Sequence, residues 1–174
     1  SLWLEKAGLV NASDGTIKLT SDGQELAASV VRRHRLAERF LTDVLGLDWT
    51  DAHHEAGKWE HVISPEVEEA LNRLLGEPTT CPHGNPIPGS SYRAPDSHQL
   101  RQIPVGGQFT VNRIPEELEF TSGLLAFLEE SSLIPGERGT VTASSPDGTV
   151  TVEIDGRHVG VGSFASERIM VTTA

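Results

Sequence analysis

The period of the apolar residues changes once along the chain, and that change constrains the fold more than any single motif. From residue 21 to residue 75 apolar side chains recur every three to four positions, as in amphipathic helices. From residue 108 to residue 174 they alternate in short runs, as in half-buried strands. Residues 76–107, between them, are dense in Pro, Gly, Ser, Asn and His and follow neither period, so they are expected to be a linker. A chain of 174 residues divided this way should form two small modules, helical first and β second.

The opening stretch adds a third piece. Residues 2–10 (LWLEKAGLV) look like the last turn of a helix that Gly8 stops, so the chain opens at Ser1 inside a helix and an upstream segment is expected. A polar turn at Asn11, Ser13, Asp14 and Gly15 and a short strand from Thr16 to Thr20 follow, and together they look like the wing of a winged helix. Ser21 with Gln24 reads as a capping box that starts a long helix, which Gly46 ends after Leu45. Its apolar stripe is Leu26, Val30, Ala37, Leu41, Val44 and Leu45. A second helix is expected from Thr50 to Ile63, burying Ala52, Ala56, Trp59 and Ile63. A third is capped by Ser64, has Pro65 at its first position, and carries Val67, Ala70, Leu71 and Leu74 on one face. Beyond the linker, strands are expected at 109–114, 139–143, 149–154, 158–161 and 168–172, with one helix near 122–131 and turns at Pro146-Asp147-Gly148 and Asp155-Gly156. This reads as a small β-barrel.

Composition narrows the function classes. The hydrophobic fraction of 37% and charged fraction of 22% are those of a soluble globular chain. No apolar run approaches the roughly 20 residues of a membrane span, and no secretory signal opens the chain, so no membrane partner and a cytoplasmic location are expected. The single cysteine, Cys81, cannot form an internal disulfide. A net charge of -11 argues against a broad nucleic-acid face, although Arg32, Arg33, Arg35 and Arg39 cluster locally.

The sharpest anomaly lies on the long helix. His34 and Glu38 are four residues apart and fall on the same side as Val30 and Leu41, two polar groups on an apolar face. They either hydrogen-bond each other in the core or point at one ion. The second helix repeats the pattern, with His53, Gly57, Glu60 and His61 along one stripe, which is either a second ligand face or a solvated one. Imidazole with carboxylate suits Fe2+, Mn2+, Co2+, Ni2+ or Zn2+ and argues against a thiolate-type structural zinc site. Cys81 and His83 in the loop CPHGNPIPG form a further possible metal pair, though a lone thiol in such a loop is more often incidental. His54-Glu55 opens like a zinc-protease motif, but Lys58 stands where the second histidine must be. No serine or cysteine nucleophile elbow, phosphate loop or dinucleotide fingerprint is present.

The segments RRHRLAERFLTDVLGLDWTDAHHEA, WEHVIS and CPHGNPIPG closely resemble the metal-dependent repressors of the diphtheria toxin repressor, iron-dependent regulator and manganese regulator family, and the resemblance covers essentially the whole chain. It implies an α+β chain: the end of a recognition helix and wing of a truncated winged-helix DNA-binding domain at 1–20, a helical dimerisation and metal-binding domain at 21–75, the linker at 76–107, and an SH3-like (FeoA-like) domain at 108–174. It further implies an ancillary metal site of His34, Glu38 and His53 completed by Glu116 and Glu119, and an anion held by Arg35 and Asn85. Glu60 and His61 match the primary, activating site, which is incomplete because Gly57 stands where family members place Cys or Glu. The function implied is a repressor activated by Fe2+ or Mn2+, homodimeric through Val67, Leu71 and Leu74 of the third helix, binding operator DNA when its N-terminal domain is whole, and not an enzyme. A metal-binding module without a DNA function and, less favoured, a metal-dependent hydrolase are the alternatives.

Overall fold

The computed structural model describes residues 2–13 and 15–173. The expected turn residue Asp14 and the terminal residues of the first and last expected domains, Ser1 and Ala174, lie outside them. The short helix α1 (Leu2–Lys6) leads into an antiparallel hairpin, β1 (Val10–Ser13) with β2 (Thr16–Leu19), so Asn11 and Ser13 belong to a strand rather than to the turn.

Helix α2 (Ser21–Arg39) starts one residue earlier than its capping signal suggests. Thr20, not Ser21, is the cap: its hydroxyl oxygen accepts from the Gly23 amide at 3.1 Å and donates to the Gly8 carbonyl at 2.6 Å. Gly23 is required there, because a Cβ would stand 2.0 Å from the Leu9 carbonyl oxygen. The helix continues as a widened, π-type turn from Phe40 to Val44. Its buried residues are Leu36, Ala37, Glu38 and Leu41, whereas Leu26, Val44 and Leu45, expected on the stripe, are exposed. Helix α3 (Trp49–Trp59) is capped by Asp48, whose carboxylate accepts from the Asp51 amide, and ends four residues short of Ile63. Helix α4 (Pro65–Leu74) has the expected Ser64 cap and Pro65 start, but only Leu71 of its apolar face is buried; Val67 and Leu74 are exposed. Ala37, Leu41, Ala52, Ala56, Ile63 and Leu71 make the small helical core.

The second module is a six-stranded antiparallel sheet of SH3-like character in the order β3-β8-β4-β5-β6-β7. Its strands are β3 (His98–Gln99), β4 (Gln108–Arg113), β5 (Arg138–Ser144), β6 (Val150–Ile154), β7 (Arg157–Val161) and β8 (Met170–Thr172). Register shifts at Val111/Arg113 and Val141/Ala143 bend the sheet around its core. Short helices α5 (Glu116–Glu119), α6 (Leu124–Glu130) and α7 (Ser163–Ser166) cover it, and Phe109, Val111, Leu118, Leu128, Val152 and Ile169 pack inside.

Two features fasten the modules together. Trp49 of α3 is part of the barrel core, and its amide donates to Glu129 of α6 at 2.9 Å. The stretch expected to be a linker or long loop is partly interior: Cys81, Pro82, His83, Gly84, Asn85 and Ile87 are all buried. The arginine cluster holds it down. Arg32 donates to the Pro88 carbonyl, Arg35 to Pro86 and Arg39 to Thr80, while Arg32 and Arg33 share the Glu68 carboxylate at 2.9 and 3.0 Å. These side chains pin a loop instead of forming a basic face.

Candidate metal centre

At the seam of the two modules α2 supplies His34 and Glu38, one turn apart, and α3 crosses close enough to bring His53 beside them. Glu38 Oε1 lies 3.1 Å from His34 Nε2 and 2.8 Å from His53 Nδ1, and the two nitrogens are 3.3 Å apart. Donors about 2.1 Å from a shared ion stand about 3.0 Å apart at a right angle and about 3.4 Å apart at a tetrahedral one. The triangle therefore matches one face of a coordination polyhedron, so these residues fit a divalent ion. Of the two readings of His34 and Glu38, a bonded pair or a ligand pair, the addition of a third donor at coordination spacing favours the second.

The barrel contributes through α5. Glu119 is only 4% exposed and reaches the cluster, Oε2 lying 3.6 Å from His53 Nδ1 and Oε1 3.1 Å from His83 Nδ1. Glu116, expected beside it, is 49% exposed and pairs with Arg35 at 3.7 Å. The two glutamates are three residues apart on a helix that is a single turn long, and Leu118 between them is committed to the core, which sends Glu119 inward and leaves Glu116 outside. Asn85 is fully engaged: it donates to the Ile114 carbonyl and to Glu119 Oε1, both at 2.9 Å, and accepts from Arg113. Arg35 and Asn85 thus serve the Glu116 and Glu119 carboxylates, and an external anion at either would displace those contacts.

The Cys81–His83 pair, discounted in the sequence as incidental, belongs to the same cluster. Cys81 Sγ is 3.7 Å from His83 Nδ1, which is 3.7 Å from Glu38 Oε1, so Glu38 is common to two overlapping donor sets. Among the described residues His83 Nε2 is buried without a hydrogen-bond partner, and the Trp49 indole packs edge-to-face on the ring, so only Nδ1 addresses the centre. The spacing Cys-Pro-His was the available signal. The burial that gives it meaning was not visible in the sequence.

Burial opposes charge on His34, yet hydrogen bonds and charges from Glu38 and Glu60 outweigh it and raise the imidazole to about 9. Burial likewise opposes ionisation of Glu38, and the three surrounding imidazoles overcome it, holding the carboxyl below its ordinary range. The Glu38 hydrogen bond raises His53 as well, and burial with the Glu38 and Glu119 charges pushes the Cys81 thiol up.

Glu60 Oε2 is 2.6 Å from His34 Nδ1, its other oxygen is 3.1 Å from His61 Nε2, and His61 is 67% exposed. A groove of about 380 Å³ opens beside them, lined by His34, His53, Gly57, Glu60, Glu116 and Phe120 among others.

Residues 20–89 match the family described as iron dependent repressor, metal binding and dimerisation domain, and residues 98–173 match the FeoA domain. The iron-dependent repressor IdeR of Mycobacterium tuberculosis (strain H37Rv) is 39% identical over 167 residues, covering 89% of this chain and 72% of that protein. The diphtheria toxin repressor of Corynebacterium diphtheriae is 52% identical over 87 residues, 49% of this chain and 38% of the relative. Among solved structures, a manganese-dependent transcriptional repressor in complex with manganese superposes with a TM-score of 0.83 at 34% identity, covering 99% of this chain and 81% of that one. The repressor ScaR with bound Zn2+ gives 0.76 at 26% identity, covering 98% and 85%. These relatives are transcriptional repressors, not enzymes, and with two matched domains and an inter-module donor cluster this chain belongs to the iron-dependent, diphtheria toxin repressor family of metal-dependent transcriptional repressors.

Proposed function

We propose that this chain is the sensing part of a repressor activated by Fe2+ or Mn2+, in which His34, Glu38 and His53 hold the ion and Glu119 brings the barrel to it. The observation that carries the reading is the donor triangle with sides of 2.8, 3.1 and 3.3 Å at the junction of helices and barrel. A bound divalent cation supplies one positive centre shared by both modules. The chain's own residues do the rest: α2 and α3 hold two imidazoles and a carboxylate in fixed relation, Asn85 orients Glu119, and the arginines keep the 79–90 loop packed over the site. An ion that binds this closed arrangement more tightly than looser ones shifts the population toward it, and through it the affinity for operator DNA.

In this reading residues 2–20 belong to a winged-helix unit, the helices carry metal and the dimer contact, and the barrel lends an acidic arm. The exposed Val67 and Leu74 on α4 supply the apolar surface for a homodimer, with Leu71 committed to the intrachain core. The nitrogen and oxygen donors suit Fe2+ and Mn2+, as in the iron- and manganese-dependent relatives, while Cys81 within the cluster favours a softer ion such as Zn2+.

Equilibrium dialysis of the protein against Mn2+ and, without oxygen, Fe2+ tests the assignment. His53→Ala should weaken binding by more than the roughly 10–100-fold typical of losing an outer-shell partner. Unchanged affinity would remove the centre from this position.

A further inference from the structure

Glu119 turns its two carboxylate oxygens toward different neighbours. Oε1 accepts from Asn85 Nδ2 at 2.9 Å and lies 3.1 Å from His83 Nδ1, while Oε2 lies 3.6 Å from His53 Nδ1. The Asn85 amide that makes this division is completely buried. An asparagine amide has nearly the same shape either way round, so its partners decide which end is oxygen. Two of them, the Glu119 carboxylate and the Ile114 carbonyl, are acceptors and require the nitrogen end. The third, Arg113 Nε, can only donate and requires the oxygen end, which it reaches at 2.7 Å. Arg113 is brought there by the sheet. Strand β4 carries one extra residue between Val111 and Arg113 relative to β8, and such a bulge re-aims the side chains beside it. Next along the chain, Ile114 donates its amide to the His83 carbonyl at 2.8 Å and accepts from Asn85 with its own carbonyl, which ties the end of β4 to the loop that carries both residues.

We propose that Arg113 is a positioning residue for the metal centre: by donating its Nε–H to Asn85 it fixes that amide, which holds Glu119 by Oε1 and leaves Oε2 turned toward the donor triangle. The inference rests on the metal reading above. Arg113 acts at two removes, through Asn85 on Glu119, as groups behind a metal ligand do when they set its orientation. Without the Nε–H the Asn85 oxygen would be buried with no donor, a cost that favours a turned or displaced amide and frees Oε1. The role needs the N–H and not the rest of the guanidinium group. Glutamine places its amide nitrogen, and methionine its terminal methyl, the same number of bonds from the backbone as arginine Nε, so the two substitutions match in length and differ in the donor.

Nuclear magnetic resonance of the metal-free chain, with Co2+ titration followed by visible absorption, tests this. In the metal-free protein the Asn85 side-chain amide protons should exchange slowly in wild type and in Arg113→Gln, and quickly in Arg113→Met. Arg113→Met should lower Co2+ affinity about 10–100-fold and move the visible bands toward those of Glu119→Ala. Arg113→Gln should restore most of the affinity and the wild-type bands. In a Glu119→Ala background, Arg113→Met should cost less than about twofold, because the group it positions is gone. A merely structural contribution would instead lower affinity equally in both backgrounds. Equal loss in the two backgrounds, wild-type affinity or wild-type amide exchange in Arg113→Met, or Arg113→Gln as weak as Arg113→Met overturns the proposal. If Arg113→Met does not fold, fast Asn85 amide exchange in the wild type does the same. Wild-type affinity in His34→Ala overturns the metal reading itself, on which the amide measurement does not depend, so the two failures are distinguishable.

Discussion

Glu38 has 1% of its side chain exposed and meets three imidazoles, His34, His53 and His83, through one carboxylate oxygen. Such a group is sustained only by positive charge around it, from protons when no metal is bound. His34, raised from an ordinary value near 6.5 to about 9, stabilises the metal-free fold fully below 6.5, and that contribution disappears as pH rises through 9. Glu38, lowered, acts oppositely: its contribution is present above the ordinary carboxylate range and lost as pH falls through and below it. Thermal melts of the metal-free protein should show greatest stability between the carboxylate and histidine ranges, with an alkaline decline that His34→Ala flattens. An alkaline limb identical in wild type and variant would refute the assignment of the charge. At this scale the sequence was informative: the i, i+4 spacing of His34 and Glu38 was readable because a helix repeat determines which side chains share a face. The Glu60 orientation was not, since a helix-end side chain can turn toward several neighbours and only packing chooses.

Helix caps show what elements encode locally and what they leave open. Ser64 with Pro65 was legible because cap and first-turn preferences are properties of adjacent residues. Asp48 was also available in the sequence, but the expected start at Thr50 passed over it; Thr20 displaced Ser21 as cap of α2 because its hydroxyl reaches both the Gly23 amide and the Gly8 carbonyl. The loop carrying Cys81, His83 and Asn85 had no readable element, since its order comes from arginine donors on α2 and from β4. Gly84 is its tightest point, with φ +85° and a Cβ position 2.3 Å from the Asn112 carbonyl oxygen. Gly84→Ala should cost about 1–3 kcal/mol in chemical denaturation and weaken metal binding with it, as strain spreads to His83 and Asn85. Full stability and affinity in that variant would mean that the loop does not need this contact.

Across the whole molecule, the donor cluster joins residues from both modules, so an ion held there would link metal affinity to global stability. At an ion concentration 100 times the dissociation constant the fold gains about 2.7 kcal/mol, which for a chain of this size raises the melting temperature by roughly 5–11 °C. Calorimetry with Mn2+ and with chelator should show one transition moving by that amount, and His34→Ala should remove most of the shift. A metal-induced shift of full size in His34→Ala would place the stabilising ion elsewhere. The arginine cluster, the local concentration of positive charge in a chain of net charge -11, is used internally on Glu68 and on loop carbonyls.

The order of helical and strand periods, the i, i+4 spacing of His34 and Glu38, and the helix-starting chemistry at Ser64 are local, and the linear sequence determined them. Tertiary structure alone decided that Glu119 reaches the histidine cluster while Glu116 stays with Arg35, that the Cys81–Ile87 stretch is interior, and that the Glu60 carboxylate lies against His34. The reason is range: a face of a helix is set by neighbours three or four positions away, whereas those choices join residues 26 to 81 positions apart and depend on many small contacts settling together.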